Sequence, residues 1–150
     1  MSQSLSKVYI HAIFSTKNRE LLLADDWRDE LFQVVGGATN NLGCHSLLVG
    51  GVADHLHMLF ELGRTISVAD AIGKIKSTSS AWINQSRGLP FPFQWQAGYA
   101  AFSVSQSSVK AVNEYIQAQT IHHATRSFQD ELREWLRRYE VDWDERYIWD

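Results

Sequence analysis

Two histidines flank a leucine in His55-Leu56-His57, and a tyrosine, a glutamine and two more histidines recur in Tyr115-Ile116-Gln117-Ala118-Gln119-Thr120-Ile121-His122-His123. On a strand, imidazoles at i and i+2 share one face roughly 7 Å apart, twice the ~3.3 Å rise, close enough to converge on one cation. On a helix, Tyr115, Gln119 and His122 fall at i, i+4 and i+7, one narrow stripe. A phenol beside a divalent ion is a plausible nucleophile towards a phosphodiester, because the ion polarises the phosphoryl group while the phenol oxygen attacks. With an ordinary pKa of ~10, the phenol must lose its proton during attack or have its ionised form stabilised locally. The alternative, surface imidazoles and a half-buried packing tyrosine, stays open on these residues alone.

Positioning these groups falls to the elements around them. In His55 to Leu62, residues 56, 58, 60 and 62 are all apolar, so His55, His57 and Glu61 point to the opposite face. Lys7 to Ser15 alternates as a strand, Cys44 to Val52 is another, and the short turn Ala53-Asp54 joins the latter to the histidine strand as a hairpin. Asp25 or Asp26 caps a helix carrying Trp27, Leu31, Val34, Ala38 and Leu42, which Gly43 ends. Ser67 opens a capping box before a helix with Val68, Ile72, Ile75, Ser79 and Trp82 on one face. After a loop from Gln85 to Gly98 holding both prolines, Tyr99 to Ser105 is a fourth strand. One helix then runs from Ser107 or Ser108 to about Ala124, with Val109, Val112, Ile116 and Thr120 as its apolar stripe. A last helix follows Ser127, with Phe128, Leu132, Trp135, Leu136 and Tyr139. The order βαββαβ plus two helices predicts a ferredoxin-like α+β sandwich, a single domain over residues 1–150, with a four-stranded antiparallel sheet and helices on one face. The other face is expected to be open, to be covered by a ligand, a nucleic acid, an appended helix or a partner.

Composition narrows the function classes. With 150 residues, 45% hydrophobic and 21% charged, the chain can bury a core, which excludes disorder as its main state. Cys44 is the only cysteine, so an internal disulfide framework and a multi-cysteine zinc site are excluded. No segment approaches the ~18 apolar residues of a membrane span, and a soluble, cytoplasmic protein is expected. A net charge of −3 argues against coating duplex DNA by bulk electrostatics. Yet Arg64 to Lys110 holds five basic residues against Asp70 alone, while Arg126 to Asp150 holds five basic against eight acidic residues. Such a chain can grip a phosphate backbone over a limited footprint.

Several stretches together resemble a known family. They are Phe14-Ser15-Thr16-Lys17-Asn18-Arg19, Asp54-His55-Leu56-His57, Trp95 to Ser105, Tyr115 to Gln119 with His122-His123, and the tail Asp144 to Asp150. In this order they are similar to the single-tyrosine HUH transposases of bacterial insertion sequences and the transposase-like proteins associated with repetitive palindromes. The resemblance implies that His55 and His57 are the HUH histidines, Tyr115 the nucleophile, and Gln119 the third protein ligand of a Mg²⁺ or Mn²⁺ ion. It implies cleavage of single-stranded DNA beside an imperfect hairpin, giving a 5′-phosphotyrosine and a free 3′-hydroxyl. It also implies a homodimer, often with one subunit's tyrosine helix completing the other's metal site. Lys17, Arg19, Lys74, Lys76, Arg87 and Trp95 are the candidates for DNA binding by charge and stacking capacity. Two other readings compete: a noncatalytic module binding single-stranded nucleic acid through an open sheet, and a metal hydrolase using His55, His57 and Glu61. The strand rise puts Glu61 about 13 Å from His57, which favours Gln119.

Overall fold

In the computed structural model, which describes residues 2–150, period-two alternation builds a four-stranded sheet. Its strands are β1 (Tyr9–Ser15), β2 (His45–Gly51), β3 (His55–Glu61) and β4 (Ala100–Val104). Their order is β2-β3-β1-β4, and each neighbouring pair is antiparallel. This is the ferredoxin-like order that βαββαβ predicts. Ile10, Ala12 and Phe14 of β1 lie beside Phe60, Met58 and Leu56 of β3 and form one core with α1 (Asp25–Asn41) and α2 (Val68–Ser86). Because side chains alternate, Ile13 and Ser15 stand opposite His57 and His55 on the other face.

The helices follow their caps and stripes with local departures. The Ser67 hydroxyl accepts from the Asp70 amide at 3.0 Å, as a capping box requires. Ala24, not Asp25 or Asp26, is the N-cap of α1; both aspartates lie in its first turn, where negative charge suits the helix dipole. Val35 is buried where the spacing had favoured Val34, and Ile83 is buried while Trp82 is half-buried. The helix expected to run to Ala124 breaks at Ala118 (φ −91°, ψ 16°) into α3 (Val109–Gln117) and α4 (Gln119–His122). That break exposes Thr120 and buries Gln119.

The face expected to be open is covered by the chain itself. On α5 (Phe128–Arg138), Phe128, Leu132, Trp135 and Leu136 pack with Ile13 and Phe102. From α3, Val112 and Ile116 pack with Tyr9, Leu59 and Val104. The apolar stripes of the appended helices thus bury sheet surface that would otherwise meet water, and the open-sheet binding module loses its surface. Close approach seats α3: a Cβ on Gly50 would lie 2.7 Å from Ile116 Cγ2 and 3.0 Å from the Ile116 carbonyl oxygen. We therefore expect Gly50→Ala to cost about 1–3 kcal/mol by overpacking and to displace α3 with Tyr115 on it. Chemical denaturation checks the first effect, and chemical-shift changes at Tyr115 check the second. Among the described residues, no helix is long and apolar enough to cross a membrane.

Candidate active site

The histidine strand and the tyrosine helix meet within one chain, around a carboxylate from α5. Glu131 is fully buried, and its Oε1 lies 2.9 Å from His57 Nε2, 3.2 Å from His55 Nε2 and 3.1 Å from His123 Nε2. Its Oε2 accepts hydrogen bonds from the Tyr115 hydroxyl and, at 3.1 Å, from the Gln119 amide. Gln119 Oε1 in turn lies 3.2 Å from His55 Nε2, so the expected third ligand also points at the cluster. Beyond the centre, Asp54 Oδ1 lies 2.7 Å from His55 Nδ1, and His11 Nε2 lies 2.8 Å from His57 Nδ1. The Tyr115 oxygen also accepts from Arg126 at 3.0 Å and faces Trp135 Nε1 at 3.4 Å. His122 stacks on the Tyr115 ring at 4.5 Å, so it is His123 that faces the centre.

These donors fit a divalent cation. One ligand atom from each of His55, His57, His123 and Glu131 lies within 4.8 Å of the others, and His123 Nε2 is buried without a hydrogen-bond partner. Imidazole nitrogens and a carboxylate oxygen suit a divalent metal. Glu61 stands apart at the far end of β3, paired with Lys7 at 3.3 Å, which removes it from a hydrolase constellation.

The electrostatics follow from burial. Desolvation pushes the His57 pKa down to about 4, against the pull of Glu131, and holds His11 well below the usual imidazole range. Burial also works against charge on His55, but hydrogen bonds to Asp54 and Glu131 outweigh it and raise its pKa. Glu131 is desolvated too, yet the three imidazoles around it hold its carboxyl far below the usual range. Burial and the Glu131 charge push the Tyr115 phenol above its ordinary value, so it rests protonated.

These shifts give stability a pH dependence. Unfolded imidazoles take up protons near 6.5, whereas folded His57 does so only near 4, so its contribution is complete above 6.5 and lost as pH falls towards 4. His11 acts in the same direction, and Glu131 adds a loss below its unfolded value of 4.5. The raised His55 opposes them, since its contribution is full below 6.5 and lost as pH rises through its folded value. We expect metal-free protein to lose about 3 kcal/mol between pH 7.5 and pH 4. Urea unfolding at the two pH values measures this, and a flat profile would contradict it.

Residues 4–119, more than half of the chain, match the family model described as "Transposase IS200 like". The chain belongs to that family. Among solved structures, this transposase is similar to a protein of Deinococcus radiodurans R1 assigned as a transposase, with a TM-score of 0.63 and 21% identity. That similarity covers 79% of this chain and 98% of the other. It is also similar to the REP-associated tyrosine transposase bound to a REP hairpin, with a TM-score of 0.59 and 15% identity, over 82% of this chain and 74% of that one. At these identities the likeness is one of fold. No protein of curated function matches the chain.

In this IS200-like transposase the expected DNA-binding residues divide. Lys17 and Lys74 are exposed, and half-buried Arg19 lies over the Trp149 ring at 5.6 Å. Arg19 also lines a cleft of about 840 Å³ that reaches Asp54, His123, Arg126 and Phe128. Three others are structural. Trp95 is buried against Phe14 and Phe93 and donates to Ser79 Oγ at 2.9 Å, leaving no ring face for a base. Lys76 donates to the carbonyls of Gln96 at 2.9 Å and Gly98 at 2.6 Å, and burial pushes its pKa down to about 8, so it staples a loop. Arg87 pairs with Glu30 at 2.8 Å and lies over Trp82 at 4.6 Å, on the α1 and α2 layer opposite the histidines. Sequence reasoning missed His11, Arg126 and Glu131, and its site stripe carried His122 where His123 faces the centre. For Glu131 there was a signal: it lies three residues after Phe128 and four before Trp135, on the apolar side of its helix.

Proposed function

We propose that this transposase cuts and rejoins single-stranded DNA at ends bearing an imperfect hairpin, through a 5′-phosphotyrosine on Tyr115. One observation carries the reading: the Tyr115 hydroxyl, both histidines of β3 and Gln119 converge on the single buried carboxylate of Glu131. His55, His57 and Gln119 would hold a Mg²⁺ or Mn²⁺ ion, with Glu131 adding the anionic oxygen that hard cations prefer. When bound, such an ion polarises the scissile phosphate and neutralises charge on it.

The phenol of Tyr115 gives up its proton as its oxygen attacks phosphorus, the P–O3′ bond breaks, and the leaving 3′ oxygen takes up a proton. The 5′-phosphate stays on Tyr115. The 3′-hydroxyl of another end then attacks the same phosphorus, releasing the phenol, which regains its proton. Each step exchanges one phosphodiester for another, so strands are joined without ATP. Arg126 donates to the phenol oxygen and would stabilise negative charge there. Lys17 and Arg19 would contact the phosphate backbone, whereas Lys74 lies on α2, in the layer opposite the histidines. The hairpin as substrate is supported by the REP-associated relative, whose structure holds a REP hairpin. Two ends handled together call for a homodimer, acting in the cytoplasm where the DNA lies.

The test is to incubate the protein with hairpin-bearing single-stranded DNA and Mg²⁺ and resolve the products under denaturing conditions. We expect a covalent protein–DNA band that disappears when EDTA removes the divalent ions. No band with Mg²⁺ would overturn the reading, and an undiminished band in EDTA would overturn its metal dependence.

A further inference from the structure

His11 lies in the middle of β1, fully buried, with no carboxylate or backbone partner on its ring. Its Nε2 lies 2.8 Å from His57 Nδ1, and its own Nδ1 has no hydrogen-bond partner. The ring is stacked on His57 at 5.0 Å and edge-on to Trp135 at 4.8 Å, with Phe102 and Tyr115 close by. An imidazole buried among aromatic rings, at a position where a phenylalanine would fill the same space, calls for a reason.

The reason lies in His57. Its Nε2 faces Glu131 Oε1 at 2.9 Å, so in the absence of an ion that nitrogen donates. Its Nδ1 must then accept, and the donor is His11 Nε2–H. When His57 Nε2 ligates a cation it carries no proton, and Nδ1 becomes the donor. The partner at Nδ1 must then accept through the same atom that donated before. A histidine meets both demands by moving its proton from Nε2 to Nδ1, whereas an amide nitrogen can only donate and a carbonyl oxygen can only accept. The proton count balances: His11 passes its Nε2 proton to His57 Nδ1, and the proton lost from His57 Nε2 is matched by one gained on His11 Nδ1. Both rings stay neutral throughout.

We propose that His11 is a positioning residue for the metal site, which holds the His57 ring and switches tautomer with it when a divalent cation binds. This rests on His57 being a ligand, and the experiments separate the two claims. In ¹⁵N-histidine spectra of the whole chain, we expect His57 to change from Nε2–H to Nδ1–H on saturation with Mg²⁺, and His11 to move from Nε2–H to Nδ1–H with it. In calorimetric titrations with Mn²⁺, His11→Phe should bind about 10–100-fold more weakly than the unaltered protein, the loss that follows removal of a ligand's hydrogen-bond partner. His11→Asn, which returns an acceptor, should recover part of it.

Failure of the unaltered protein to bind either ion would overturn the metal reading and this inference together. Unaltered protein that binds, with His11→Phe binding Mn²⁺ equally well, would overturn the role of His11 alone. So would an unprotonated His57 Nδ1 in the Mg²⁺-saturated spectrum, an outcome that decides the matter even if His11→Phe fails to fold.

Discussion

Tyr115→Phe is expected to abolish covalent attachment of DNA, lowering strand cleavage by roughly 10³-fold or more, as removal of a nucleophile does elsewhere. The chain has five tyrosines, and Tyr115 is the one whose hydroxyl bonds to Glu131, beside both histidines of β3. Phenylalanine keeps the ring that stacks on His122 and meets Trp135, so the fold should persist. What is lost is the oxygen that would bond to phosphorus, with its hydrogen bonds to Glu131 and Arg126. Stability should change by only about 1 kcal/mol. Denaturing gels of the DNA reaction, with unfolding curves for the same variant, separate the two effects. A covalent band of normal intensity from a folded Tyr115→Phe would remove Tyr115 as the nucleophile.

Glu131→Ala should be the most damaging single change to the metal-free protein. The carboxylate is enclosed by His55, His57 and His123 and accepts from Tyr115 and Gln119. Its removal leaves the His57, Tyr115 and Gln119 donors without their shared acceptor and takes the negative charge from beside His55 and His123, and breaking a buried charged cluster from one side costs about 3–5 kcal/mol. Glu131→Gln keeps the shape and a carbonyl oxygen but no charge. It should retain part of the stability while binding Mn²⁺ at least about tenfold more weakly, if the anionic oxygen is a ligand. Urea unfolding of both variants, with Mn²⁺ titration of Glu131→Gln, tests these outcomes. A neutral Glu131→Ala would mean the carboxylate is no organising group.

The order of strands and the facing of His55 and His57 were legible because alternation is strict on β3: Leu56, Met58 and Phe60 cannot face the core unless both histidines turn away. The single-chain convergence of Tyr115 with those histidines was not legible, since it depends on α3 packing back over the histidine face of its own sheet. Gln119 reaches the centre through a helix break at Ala118, in a stretch with neither glycine nor proline to announce it. Glu131 was counted only as one of the eight acids between Arg126 and Asp150, because charge balance ignores direction, although its helical spacing matched the buried stripe. Trp95 and Lys76 were misassigned for a related reason. Stacking capacity and charge describe what a side chain can do, while the Ser79 hydroxyl and the carbonyls of Gln96 and Gly98 had already engaged them.

The most direct test is anomalous diffraction from crystals of the protein soaked in Mn²⁺. A peak within bonding distance of His55 and His57, with the Tyr115 oxygen of the same chain at its edge, is the predicted result. No peak there, or one held by other side chains with Tyr115 turned away, would contradict the shared centre on which the proposed chemistry depends.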